Sequence, residues 1–232
     1  MRGDGIGAAA IARNPRPKSS RVGLGSLEEA GVLTPALALD IGVRSRDQRI
    51  LAAMALCCAT NSFAATTIAD IVGEAQISRA TFYKHFASKR ACFDASVASF
   101  ALTLEAAATE AYASGDSPPA SLHLAIAAVL ELLRANPSFA RLMLIEVPVV
   151  DSTLLDAPRA LLAKGMAVKW GTRGGFDQSS VAVFGGAHVL MAQHVVAGRT
   201  GELPALLPEL VYMILLPFAG QDRALAQSGQ GK

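Results

Sequence analysis

Between Ser78 and Lys89 the chain reads SRATFYKHFASK, a run crowded with hydrogen-bond donors and free of carboxylates. Arg79, Thr81, Tyr83, Lys84 and His85 bring guanidinium, hydroxyl, ammonium and imidazole groups together. Phosphate oxygens and base edges are bound by such groups. Phe82 and Phe86 stand four apart, so one helical face turns both rings inward and leaves the donors largely outside. The chemistry on offer is recognition of nucleic acid. In this reading Arg79, Thr81 and Lys84 approach base edges, while Thr67, Ser78, Tyr83, His85 and Lys89 position the helix on phosphates. Lys89 follows Ser88, an N-cap residue type, so its charge opposes the dipole of the helix it opens; a phosphate at that helix end would account for it. The plain alternative is a solvated helix face that is basic by chance.

Such a run needs elements to hold it. Ile68, Ile71 and Val72 share one face of a short helix. Thr67 precedes that face as an N-cap, with Asp70 in the capping-box position. Ser78 repeats the device for a second helix over Arg79–His85, and Ala75–Ile77 has room only for a turn. Upstream, a helix from about Ser45 to Asn61 carries Ile50, Leu51, Met54 and Cys58 as its buried stripe. Phe63 is expected beside Phe82 and Phe86. Two short helices, a tight turn and a donor-rich second helix make a helix-turn-helix.

From Arg46 to Phe93 the chain resembles the N-terminal domain of the TetR family of transcriptional regulators. The matching text is RILAAMALCCATNSF followed by ATTIADIVGEAQISRATFYKHFASKRACF, with TFYKHF-x-SK its most specific part. The resemblance implies a homodimer on a palindromic operator and a helical second domain with a small-molecule pocket. It also implies DNA-backbone contacts for Arg44, Arg46 and Arg49 at the start of the first helix. Two positions depart from the family pattern. Ser62 stands where Gly commonly precedes the aromatic, and Gln76 stands where the turn usually has Gly. A positive φ costs about 1 kcal/mol more for Gln than for Gly.

The whole chain fits this division. Its 232 residues are 52% hydrophobic and 17% charged, which calls for a large core or a buried oligomer surface. Residues 1–90 hold twelve Lys and Arg against seven Asp and Glu, whereas 91–232 hold nine against twelve. A basic first part on a mildly acidic remainder suits a nucleic-acid-binding module joined to something else. The expected fold is all-α, a three-helix head followed by a helical ligand-binding and dimerisation domain. Residues 1–43 form a largely disordered extension in this reading, 44–93 the DNA-binding head, 94–220 the helical domain and 221–232 a disordered tail. Proline and glycine breaks divide the second domain into Lys89–Ser114, Ser121–Ala135, Ser138–Glu146, Asp156–Trp170, Asp177–Ala197 and Pro204–Phe218. Ser114–Pro119 reads as a loop. The last two helices are apolar nearly all round, which suits a four-helix dimer interface or a deep core.

Cys57, Cys58 and Cys92 have no metal-ligand or CxxC spacing and read as small packing residues whose reduced thiols suit the cytoplasm. No segment reads as a membrane span or signal peptide. For the pocket that the resemblance implies, Phe100, Phe139, Met143, Trp170, Phe184, His188 and Met191 are the candidate lining, with an ordinary core residue the favoured reading of any one of them. Few polar groups accompany them, so a small, mainly apolar ligand is expected. No catalytic motif stands out, and no metal site or cofactor is expected. The function read from the sequence is a sequence-specific DNA-binding regulator, a repressor released by its ligand. A ligand-binding helical protein whose head lacks specific recognition is the alternative, and an enzyme on a borrowed fold is a third.

Overall fold

The computed structural model describes residues 45–155 and 176–219. Arg44, Trp170, the expected Asp156–Trp170 helix and the proposed terminal extension and tail lie outside the described residues. All described residues fall within one compact unit, Leu33–Lys232. Among them there are helices and no strands.

Ser45 starts the first helix by a reciprocal cap. Gln48 N donates to Ser45 Oγ at 3.3 Å, and Ser45 N donates to Gln48 Oε1 at 3.0 Å. Helix α1 (Arg46–Ala65) buries Ile50, Ala53, Met54, Ala55, Cys57 and Cys58, with Leu51 half-buried. It runs four residues past the expected end at Asn61, through a kink at Ser62. Helices α2 (Ile68–Glu74) and α3 (Arg79–His85) follow with the caps that Thr67 and Ser78 announced. Ser88 then accepts from Ala91 N at 3.0 Å and opens α4 (Lys89–Ala113).

By length and composition α4 could cross a membrane, contrary to the sequence reading that no segment does so. It is instead a connecting core helix. Cys92, Phe93, Ser96, Val97, Phe100 and Thr103 form its buried side, and it packs on α1 and on α5 (Pro118–Ala135). The loop before α5 is shorter than expected, because Pro118 and Pro119 belong to the first helical turn. Proline fits there because its missing N–H would have no helical partner.

The segment after Asn136 differs most from the sequence reading. Helix α6 (Pro137–Arg141) widens into a π-helical turn, Leu142–Glu146, and continues as α7 (Val147–Val150). Val147 N donates to Leu142 O, five residues back. Pro148 therefore does not stop the helix; the wider turn absorbs it. Having no N–H, Pro148 cannot serve the Leu144 carbonyl four residues back. A ring nitrogen of His188 lies 2.9 Å from that oxygen instead.

Helix α8 (Phe176–Val196) closes on Gly198 at φ 72°. Arg199 N donates to His194 O at 2.8 Å and Gly198 N to Val195 O at 3.1 Å, the paired bonds of a Schellman ending. The expected last helix from Pro204 is split. Thr200–Leu206 winds as a tighter 3₁₀ helix around Pro204 before α9 (Leu207–Ala219) begins. The main core runs from Ile50, Met54, Phe82 and Phe93 through Phe100 and Met143 to Leu203 and Leu210. A smaller cluster joins Leu122, Val183, Val211, Ile214 and Leu215.

Candidate nucleic-acid interface

Each helix of the two-helix motif is fastened at its start. Asp70 N donates to Thr67 Oγ1 at 3.2 Å, while the Thr67 hydroxyl and amide both donate to Asp70 Oδ2 at 2.7 Å. The Thr67 hydroxyl and, next, its N–H hold the Asp70 carboxyl below the usual carboxylate range. Thr81 N donates to Ser78 Oγ at 3.0 Å, and the two hydroxyls are 2.9 Å apart. Thr67 and Ser78 thus spend their side chains on helix starts.

Helix α3 turns inward through Phe82, which is fully buried. Phe86 packs against it with ring centroids 5.9 Å apart. Tyr83 meets Phe82 edge-on at 5.5 Å yet remains 54% exposed, so its hydroxyl end is accessible. Arg79 and Lys84 are exposed and Thr81 is half-buried. Arg46 lies exposed in the first turn of α1. The structure thus brings the exposed donors of α3 together on one short helix.

Two donors have intramolecular partners. The His85 ring forms an ion pair with Asp47 of α1 when protonated, tying the end of α3 to the start of α1. Lys89 Nζ donates to Phe63 O and Thr66 O, both at 2.7 Å, with Ala64 O at 3.5 Å. It also stands 4.3 Å from the centroid of the Phe63 ring. Its ammonium therefore serves the carbonyl end of α1, where a cation is favourable. That contact explains the lysine at the start of α4 without a phosphate. The Phe63 ring packs on Phe93 at 4.6 Å and under Lys89, against the same core cluster that holds Phe82 and Phe86.

Both departures from the family pattern carry a positive φ. Ser62 sits at φ 68° and ψ 160°, and Gln76 at φ 53°. The chain keeps the backbone that glycine would take and bears the strain instead. The three cysteines are buried, and burial pushes the Cys58 and Cys92 thiols up to about 12. Such thiols are poor nucleophiles at neutral pH.

In the body, Phe100 stacks on Phe139 at 4.6 Å, and Met143 lies in the same core, with Met191 packed against it. Phe184 and His188 lie 6.4 Å apart by ring centroid on α8. A separate open cleft of about 280 Å³ runs between α1, α2 and the Asn136–Phe139 corner, lined by Arg49, Leu56, Glu74, Gln76 and Phe139 among others. Among the described residues, only Phe139 of the sequence-expected lining borders it. Two residues escaped the sequence reading. Asp47 had no visible link to His85. Glu146 is a buried carboxylate whose Oε2 accepts from Phe63 N at 2.8 Å, and only Pro148 following a helical run hinted at irregular backbone there.

Residues 50–96 match the family model for bacterial regulatory proteins of the tetR family. The DNA-binding head is therefore of the tetR type, as the resemblance implied. No curated protein matches the sequence. Among solved structures, the fatty acid degradation regulator FadR from Bacillus halodurans aligns with a TM-score of 0.67 at 14% identity, over 75% of this chain and 96% of that one. FadR from Bacillus subtilis, solved in complex with stearoyl-CoA, gives 0.63 at 17% identity, over 75% and 98%. A TetR-like transcriptional regulator from Rhodococcus sp. RHA1 gives 0.58 at 23% identity, over 75% and 96%. The chain has the fold of a TetR-type transcriptional regulator, an all-helical body behind a helix-turn-helix head.

Proposed function

We propose that the chain is a homodimeric, sequence-specific repressor that leaves a palindromic operator when a small, mainly apolar ligand enters its helical body. The observation that carries this reading is α3. A helix capped by Ser78 and anchored by buried Phe82 presents Arg79, Tyr83 and Lys84 to solvent. Arg79, Thr81 and Lys84 read base edges. Tyr83, Arg46 and the capped helix starts at Thr67 and Ser78 grip phosphates. His85 and Lys89 act by bracing the head, through Asp47 and through the end of α1.

Dimerisation through α8 and α9 is supported by what the single chain leaves uncovered. Val181, Gly185, Val189 and Val196 repeat along one side of α8, and the three valines are 54–66% exposed. A methyl group built on Gly185 would meet nothing within 4 Å, so this side is open to close approach by a second helix. Leu216 of α9 is 38% exposed. Two heads are also what a helix-turn-helix needs to read enough bases. A ligand with an aliphatic body suits the Phe100, Phe139, Met143 and Met191 neighbourhood, and one relative of the same fold was solved with an acyl-CoA. Release requires the ligand to favour the conformation that does not fit DNA.

Selection from random duplexes by the purified protein tests the reading. A repressor of this kind enriches one inverted repeat. Recovery of unrelated sequences after several rounds would remove specific recognition, and a monomer in solution would remove the dimer.

A further inference from the structure

Phe63 is held at both of its backbone polar groups. Its N–H donates to Glu146 Oε2 at 2.8 Å, and its carbonyl accepts from Lys89 Nζ at 2.7 Å. The N–H is available because Ser62 leaves helical geometry at φ 68° and ψ 160°. Glu146 belongs to the body and is 6% exposed. It reaches the kink from the last position of the π-helical turn. Burying a carboxylate is costly unless it is well hydrogen-bonded, so a turn that delivers one to a backbone amide calls for a reason. Single π-turns inside helices are frequent at functional sites. The same turn is touched from its other side, where the Leu144 carbonyl spared by Pro148 lies 2.9 Å from the His188 ring. One continuous path thus runs from α8 through Leu144 and Glu146 to Phe63.

We propose that Glu146 is the positioning residue through which the helical body sets the attitude of the DNA-binding head, with the π-turn as the movable link between His188 and Phe63. The inference rests on the DNA-binding reading above. Shifting the wide turn back to regular helical winding rotates Glu146 away from the kink and loosens the head. Any ligand that displaces α8 at His188 acts on that turn. Lys89 holds the other side of Phe63, so the head turns about a fixed carbonyl end.

The test compares Glu146→Gln, which keeps an acceptor oxygen, with Glu146→Leu, which removes it at similar volume. Glu146→Asp, which withdraws the carboxylate by one methylene, replaces the leucine variant if that one does not fold. Three quantities are read on the full chain: affinity for a duplex enriched by the wild type, thermal midpoint, and hydrogen exchange over residues 67–86. Glu146→Gln should match the wild type in affinity within about twofold, whereas Glu146→Leu should lose about tenfold or more at a temperature where it is fully folded. Exchange over 67–86 should rise in the leucine variant and not in the glutamine variant. His188→Ala should weaken DNA binding in the same direction, and the double variant should lose less than the product of the two single losses. A folded Glu146→Leu protein with wild-type affinity, or losses that track the folded fraction alone, would overturn the proposal. Should the wild type enrich no duplex, the DNA-binding reading fails, and the exchange arm judges the junction alone: unchanged exchange over 67–86 in the leucine variant overturns it.

Discussion

Replacing Ser62 by Gly should make the protein more stable. Ser62 occupies φ 68° and ψ 160°, a region that only glycine enters freely. Holding a side chain there costs about 1–3 kcal/mol. Among the described residues no hydrogen bond of the Ser62 hydroxyl offsets this; it is the Ser62 carbonyl that accepts from Thr66 N at 3.1 Å and from Thr66 Oγ1 at 2.7 Å. Glycine keeps that carbonyl in place. Against the relief stands the freedom that glycine adds to the unfolded chain, about 0.5–1 kcal/mol. The net expectation is a gain of about 1 kcal/mol, or roughly 2–4 °C in thermal midpoint for a chain of this size. Urea unfolding should show a higher midpoint at unchanged slope. Ser62→Ala is the control: it retains the Cβ and should move stability by less than about 0.5 kcal/mol. The reasoning fails if Gly and Ala behave alike, or if Gly destabilises. In either case the kink is not strained, and the Phe63 amide is presented at no cost.

Other expectations follow from the same geometry. Gln76→Gly should stabilise by less than Ser62→Gly, because Gln at φ 53° lies in the left-handed helical region where polar residues are tolerated; the same urea series reads the difference. Gly198→Ala should cost about 1 kcal/mol, since Gly198 at φ 72° closes α8. Tyr83→Ala should weaken binding to all duplexes alike, whereas Arg79→Ala should relax preference at particular bases by about 1–3 kcal/mol; unchanged base preference in the latter would reject that assignment. The Asp70 carboxyl is held below its ordinary range in the fold, so its contribution is present above the unfolded value and lost as pH falls through the folded one. The midpoint difference between wild type and Asp70→Asn should therefore be largest near neutrality and shrink below a pH of about 4. Cys58 and Cys92, buried with thiols pushed up to about 12, should escape alkylation at neutral pH until the chain is unfolded.

Local signals made the head readable in advance. The bounds of α3, its Ser78 cap, the Thr67–Asp70 pairing and the Ser88 cap of α4 all depend on residues within four positions of one another. The strained positions were also visible, because glycine is the residue expected there and Ser62 and Gln76 are not glycine. The partners of the head were not visible. Lys89 drew attention as a charge on the wrong helix end, but its three carbonyl acceptors lie 23–26 residues earlier, and only the packing of α1 against α4 brings them near. Glu146 is 83 positions from Phe63. In the body, proline misled in both directions. Pro118 and Pro119 start a helix, Pro148 sits inside a widened one, and Pro204 lies within 3₁₀ turns. A proline fixes its own φ and removes one donor, and tertiary contacts decide whether the helix stops or adapts.

The central claim is specific DNA recognition by α3. The most direct measurement is fluorescence anisotropy of the full chain on the duplex enriched from random sequence, against a scrambled duplex of equal length, across a salt series. The account predicts affinities that differ by about a thousandfold or more near physiological salt, with both falling steeply as salt rises. Equal affinities for the two duplexes at every salt concentration would contradict it.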